Sequence, residues 1–222
     1  METTGFMGGL NSILEWISRL ALLNLLWIFF SLLGFIIFGF FPATAAMFAV
    51  VRKWALGEME IPVFKTFWSS YKKEFIKGNI LGSIIMLMGV VLLIDFLFLQ
   101  LAAQSIQNLL LVPFYIISII FVCMLFYIFP MFVHYEMKTF DIIKNSFFVM
   151  IYNPFATLLI LVGSVGLLLL LSYAPPLLII CSGNVLALAI TKPANNAFNK
   201  MNRKHQTILK NSKSNVISER GF

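Results

Sequence analysis

The chain of 222 residues is 60% hydrophobic and 11% charged, with a mean hydropathy of +0.95. Soluble domains carry about a quarter charged residues, so an ordinary soluble fold is excluded. Its formal charge of +7 would suggest nucleic acid in a soluble protein, but the Lys and Arg residues other than Arg19 fall in three blocks, Arg52 to Lys77, Lys138 to Lys144 and Lys192 to Arg220. Uncharged runs separate the blocks. That alternation is the positive-inside pattern of a multi-pass protein whose surroundings are the lipid bilayer, with the basic blocks in the cytoplasm and no nucleic acid partner.

The segment METTGFMGGLNSILEWIS has no basic region ahead of Arg19, so it does not read as a cleavable signal peptide. About 20 apolar residues span a bilayer as a helix. On that measure the chain is expected to be an all-α integral membrane protein with about five spans: Leu20 to Phe41, Asn79 to Gln100, Leu109 to Val133, Phe155 to Leu171 and Tyr173 to Ile190. An odd number of crossings puts the C-terminus inside and the N-terminus outside. Residues 1–191 form one membrane domain, and 192–222 form a basic cytoplasmic tail, partly disordered.

The first uncharged run, Leu20 to Val51, would be about 48 Å long as a straight helix, against a hydrocarbon core of about 30 Å. Pro42 removes a backbone donor shortly after Gly39, which predicts a kink between a spanning helix and a shorter one. Ala45 and Ala49, one turn apart, would let another helix approach closely, and Trp54 beside Arg52 and Lys53 reads as an interface anchor. A rival topology makes Pro42 the tip of a hairpin, with Arg19 and the N-terminus also cytoplasmic. The sequence leaves both open.

Two cytoplasmic segments are periodic. In VFKTFWSSYKKEFIK, Phe64, Phe67, Trp68, Tyr71 and Phe75 share one helical face opposite lysines, which predicts an elbow helix in the headgroup plane and a docking surface for membrane or partner. The second elbow, TFDIIKNSFFVMIYNP, carries Phe140, Ile143, Phe147 and Met150 on one side. Each follows a Phe-Pro pair (Phe41 and Pro42; Phe129 and Pro130) and precedes an Asn (Asn79; Asn153), the outline of a weak internal repeat.

The stretches MGGLNSILEWISRLALLNLLW, FGFFPATAAMFAVVRKWALGE and IPVFKTFWSSYKKEFIKGN resemble the YesL family of bacterial integral membrane proteins. Pro42, Ala43, Thr44, Arg52, Trp54, Phe64, Trp68, Tyr71, Phe75 and Asn79 carry the resemblance, which is strongest from Met7 to Asn79 and continues in pattern to Thr191. It implies a plasma-membrane protein of undefined biochemical activity, often encoded beside carbohydrate transport and degradation genes. An accessory to sugar import, with transporter subunits as partners, is the function it implies. It brings no catalytic residues.

Among groups that could carry chemistry, Asp95 stands alone inside a hydrophobic run, where an ionisable residue is by default a functional candidate. His134 and Glu136 close the third span but lie two apart, which is poor spacing for a metal or an acid/base pair. Cys123 and Cys181 read as buried apolar residues. Glu15, Arg19 and Asn24 form either an exposed ion pair or a polar seam for a partner helix, and Gly82, Gly89, Gly163, Gly166 and the Gly183/Ala187 pair offer small packing surfaces within or between chains. No catalytic, cofactor or metal constellation is predicted. The expectation is a non-enzymatic accessory or regulatory component, able to form a homo-oligomer; the alternative is a small autonomous transporter built on Asp95 and the broken first helix.

Overall fold

The computed structural model describes residues 6–173, 183–198 and 200. Its helices are α1 (Phe6–Leu33), α2 (Phe40–Ala55), α3 (Val63–Leu101), α4 (Gln104–His134), α5 (Thr139–Tyr152) and α6 (Pro154–Ser172), and residues 183–198 are again helical. Among the described residues, α1 from Leu14, α3 and α4 are long and apolar enough to cross a membrane, and α5 with α6 adds a fourth crossing if that bent pair is one span. Large apolar side chains such as Leu87, Leu93, Ile94, Leu109 and Ile119 lie exposed along α3 and α4, where lipid covers them. The chain is an all-α multi-pass membrane protein. Among the described residues three or four of the expected spans are present, and the fifth, 173–190, falls partly outside them.

The first run does not cross as one kinked helix. α1 ends at Leu33, and a turn over 34–39 reverses the chain into α2. Trp16 packs edge-on against Trp54 with centroids 5.6 Å apart, Trp27 Nε1 donates to Thr44 Oγ1 at 3.0 Å, and Arg19 donates to the Met59 carbonyl. The start of α1 therefore lies beside the end of α2, in the hairpin geometry of the rival topology. Pro42 falls in the first turn of α2, where a missing N–H breaks no helical bond and the fixed φ suits the helix. Trp54 is only 1% exposed, so it is a core residue and not an interface anchor.

The turn itself is stapled by its backbone. Phe35 N donates to Leu32 O and Ile36 N to Ser31 O, both at 2.9 Å, the bond pattern of a Schellman cap. Such a cap favours glycine in the left-handed position, yet here Phe35 (φ 53°) and Ile36 (φ 64°) occupy that region, at a local cost of about 1–2 kcal/mol each. α2 closes in the same way with the usual residue: Gly57 (φ 95°) follows the helix, and Glu58 N reaches Lys53 O at 3.1 Å.

α2, about 24 Å long, is the central strut. Its small residues Ala43, Ala45 and Ala46 are buried together with Met47, Val50 and Val51. α3 meets it through two glycines one turn apart. A Cβ placed on Gly78 would lie 3.3 Å from Pro42 Cα, a tight contact, and one on Gly82 would run into the Phe41 ring, so glycine at both positions eases the close approach of the two helices. Two turns further along α2, Phe48 stacks on Phe129 of α4 with centroids 5.6 Å apart. One buried cluster gathers Leu23, Val50, Trp54 and Phe67; a second gathers Tyr127, Met131, Ile142, Val149 and Phe198.

The two elbows behave differently. The first is continuous with α3, because Asn79 is followed by isoleucine and its Nδ2 bonds back to Phe75 O at 2.9 Å within the helix. The second is a separate helix, α5, bent by 97° from α6. There Asn153 precedes Pro154, which drives the residue before it out of the helical region (φ −129°, ψ 62°) and starts a new helix with Thr157 N on Asn153 O at 3.0 Å. The Phe-Pro pairs also differ in place, since Pro42 opens α2 while Pro130 sits near the end of α4. The edge drawn at 191 falls inside the last helix, where Ala194, Ala197 and Phe198 are buried. Residues 201–222 lie outside the described residues.

Two outcomes check this arrangement. Gly82→Ala forces the Phe41 ring aside and should lower stability by about 1–3 kcal/mol in thermal unfolding, whereas Gly89→Ala, with open space around it, should hold the midpoint or raise it slightly. Single cysteines placed at Gly9 and at Glu58 should react with an impermeant maleimide from the same face of sealed vesicles; labelling from opposite faces would contradict the hairpin.

Candidate functional site

The polar chemistry of the described chain converges at one end of the bundle. The last turn of α2 brings Arg52 and Lys53, the early turns of α3 bring Lys73, Glu74 and Lys77, and the end of α4 with its following loop brings His134 and Glu136, around a recess of about 350 Å³. Cations suit the C-terminal ends of α2 and α4, where the helix dipoles place partial negative charge. Arg52 Nη1 donates to Val133 O at 2.7 Å, tying α2 to α4 across 81 positions of sequence. Lys73 Nζ lies 2.7 Å from Glu136 and 3.8 Å from Glu74. The His134 ring packs edge-on against Tyr135 at 4.5 Å and near Phe198 at 5.5 Å.

Two buried atoms on this recess, Arg52 Nε and His134 Nδ1, have no hydrogen-bond partner among the described residues. The Lys73–Glu136 pair is well exposed, at 64% and 84% of the side chains, so by itself it adds little to stability. Lys73 nonetheless holds the Glu136 carboxyl below the usual carboxylate range, first by its hydrogen bond and then by charge, with Lys77 adding to the charge. The arrangement suits binding and orienting a polar group. Among the described residues no three His, Cys, Asp or Glu side chains gather where a metal ion could sit.

The sequence candidates scatter. Pro42 and Ala45 are buried between helices of the same chain, while Ala49 lines the recess. Asp95 is exposed on the far part of α3, about 27 Å along the helix from Lys77. It edges a separate crevice of about 230 Å³ formed with Phe98, Pro113 and Phe114. Among the described residues no cation lies within ion-pair distance of it.

The aromatic face of the first elbow is also divided. Phe67 and Tyr71 are buried against Phe30 of α1, with centroids 5.4 and 5.0 Å away, and Trp68 is half-buried, 5.2 Å from Phe30, with Lys72 Nζ 4.5 Å over its ring. Phe64 and Phe75 remain exposed. α1 covers Phe67 and Tyr71 at the centre of the expected face, while Phe64, Phe75 and part of Trp68 stay open. The Glu15, Arg19 and Asn24 seam is likewise taken up internally: Arg19 pairs with Glu15, Asn24 is buried, and Asn184 donates to the Leu20 carbonyl beside them.

Sequence reasoning missed the convergence of Arg52, Lys73, Lys77, His134 and Glu136, because their basic members read as topology signals and their spacing in sequence is long. It also passed over Gly78, although GNILG, residues 78–82, is a small-xxx-small pattern.

Because the Glu136 carboxyl is depressed in the folded state, the pair's contribution is present above the ordinary carboxylate pKa and fades as pH falls through the lowered value. Lys73→Gln should move the Glu136 titration up toward the ordinary carboxylate position, as read by NMR of carboxyl-labelled glutamate; an unmoved titration would show that Lys73 does not hold it.

A family profile described as "Protein of unknown function, DUF624" matches residues 20–96, which span the second half of α1, all of α2 and most of α3. Across a longer stretch the chain is 41% identical over 198 residues to the "Uncharacterized protein YesL" of Bacillus subtilis (strain 168), covering 89% of this chain and 93% of that one. It is 43% identical over 175 residues to YteU of the same organism (79% and 78% covered) and 33% identical over 165 residues to YesV (74% and 79% covered). No solved structure matches. With that identity over nearly the whole length of both chains, the protein belongs to the YesL family of membrane proteins.

Proposed function

We propose that the protein is a non-enzymatic accessory or regulatory component of a membrane assembly, acting beside a carbohydrate uptake system in the bacterial plasma membrane. The carbohydrate context rests on the family resemblance alone. The single observation that favours an accessory over a carrier is the packed layer across the middle of the bundle. Leu81, Ile85, Met124 and Tyr127 are buried there, Phe41 lies over Gly82, and the layer separates the basic recess from the Asp95 crevice, which share no lining residue. A carrier would have to part this glycine-seated layer in each cycle. An accessory needs only a firm body that presents one charged end and apolar flanks.

A second reading, a small autonomous transporter, is favoured by the hairpin break at 34–39 together with Asp95, since broken helices and membrane-level carboxylates recur at transport sites. Crosslinking in native membranes followed by mild-detergent purification should recover transporter subunits at near-stoichiometric levels. Recovery of this chain alone, joined to solute uptake by proteoliposomes that Asp95→Asn abolishes, would reverse the order of the two readings.

A further inference from the structure

The recess at the basic end is lined by half-buried cations, Arg52 and Lys53 of α2 among them. Arg52 commits Nη1 to Val133 O, while its Nε is buried and unmatched; His134 Nδ1, on the same recess, is buried and unmatched as well. Both nitrogens are shielded from solvent, so an occupant meets the accessible N–H groups of Arg52 and the lysines, and these call for acceptor atoms. Charge points the same way. Four cations, Arg52, Lys53, Lys73 and Lys77, line the recess with three carboxylates, Glu58, Glu74 and Glu136. The balance is one net positive charge, with Lys73 bonded to Glu136 and near Glu74, and Lys77 close enough to Glu136 to act on its charge.

These groups reach the recess from α2, α3 and α4, so they approach a common occupant from three sides. A carboxylate offers two coplanar oxygens. A phosphate offers more oxygens in a tetrahedral array, and it matches an arginine edge supplemented by lysine point charges. The volume, about 350 Å³, is at the lower end of the range for small-ligand sites, roughly 300–1,000 Å³, and has room for the phosphate with a short organic piece attached. We infer that this recess binds a phosphate ester, held by Arg52 and Lys77 with Lys53 and His134 beside them. Its source is either a phospholipid headgroup entering from the adjacent leaflet or a small soluble phosphate ester.

The inference does not depend on the carbohydrate reading. The full chain in phosphatidylcholine nanodiscs is titrated with glycerol 3-phosphate at constant ionic strength by calorimetry, and mixed phosphatidylcholine and phosphatidylglycerol nanodiscs are examined for retained lipid by native mass spectrometry. Saturable binding of glycerol 3-phosphate supports a soluble ester, and selective retention of phosphatidylglycerol supports a headgroup. In either arm Lys77→Gln and Lys53→Gln, which disturb no hydrogen bond of the described fold, should weaken binding about tenfold with unchanged circular dichroism. Arg52→Lys keeps the charge, loses the planar fork and should weaken it further. Absence of both binding and retention, or lysine variants equal to wild type, overturns the inference. Co-purification of transporter subunits is a separate readout, so the failure of one reading leaves the other standing.

Discussion

Everything else in the described structure is arranged around the contact between the start of α2 and the two glycines of α3. Gly78 receives the Pro42 backbone and Gly82 lies under the Phe41 ring, and this lets a short helix stand as the axis of the bundle. In a membrane, where apolar surface gains little by leaving lipid, close packing of this kind replaces the hydrophobic drive of a soluble core. With α2 fixed there, its other faces are set: α1 lies along one side through Trp16 and Trp27, and α4 along another through Phe129 and the Arg52 bond to Val133.

The fold also shows how single residues decide between similar local patterns. Both elbows are amphipathic and both lead to an asparagine, yet one runs straight into a helix of 39 residues and the other turns by 97°. The difference is the next residue: isoleucine after Asn79 permits the helix to continue, and proline after Asn153 does not. Pro42 and Pro130 make the complementary point, since the same residue opens one helix and is carried inside another.

Much of the architecture was legible because hydrophobic run length and charge alternation are local properties. The helical membrane class, the helices at 79–100 and 109–133, and the second elbow follow from composition and period. The hairpin was legible only as a rival, because length argued against a second full crossing while the turn that makes it, GFIIFG, contains no polar residue to mark a loop. The aromatic face at 64–75 was found, but periodicity does not tell whether lipid, a partner or the chain's own α1 will cover it; Phe30 does. The recess was invisible for a different reason. It joins Arg52 to Val133 and Lys73 to Glu136, pairs that only the fold brings together.

The turn at 34–39 has a consequence for how such a chain enters its membrane. Its N–H groups at Gly34, Phe35, Ile36, Ile37, Phe38 and Phe40 are bonded to nearby carbonyls, and Phe35, Ile36, Ile37 and Phe38 expose apolar side chains. Hydrocarbon excludes irregular backbone mainly because its polar groups go unsatisfied, and these groups are satisfied in place. A hairpin with such an apex can slide into the bilayer tip first from the side that holds its basic ends. No charged loop has to be carried through the apolar layer for α1 and α2 to reach their final pairing.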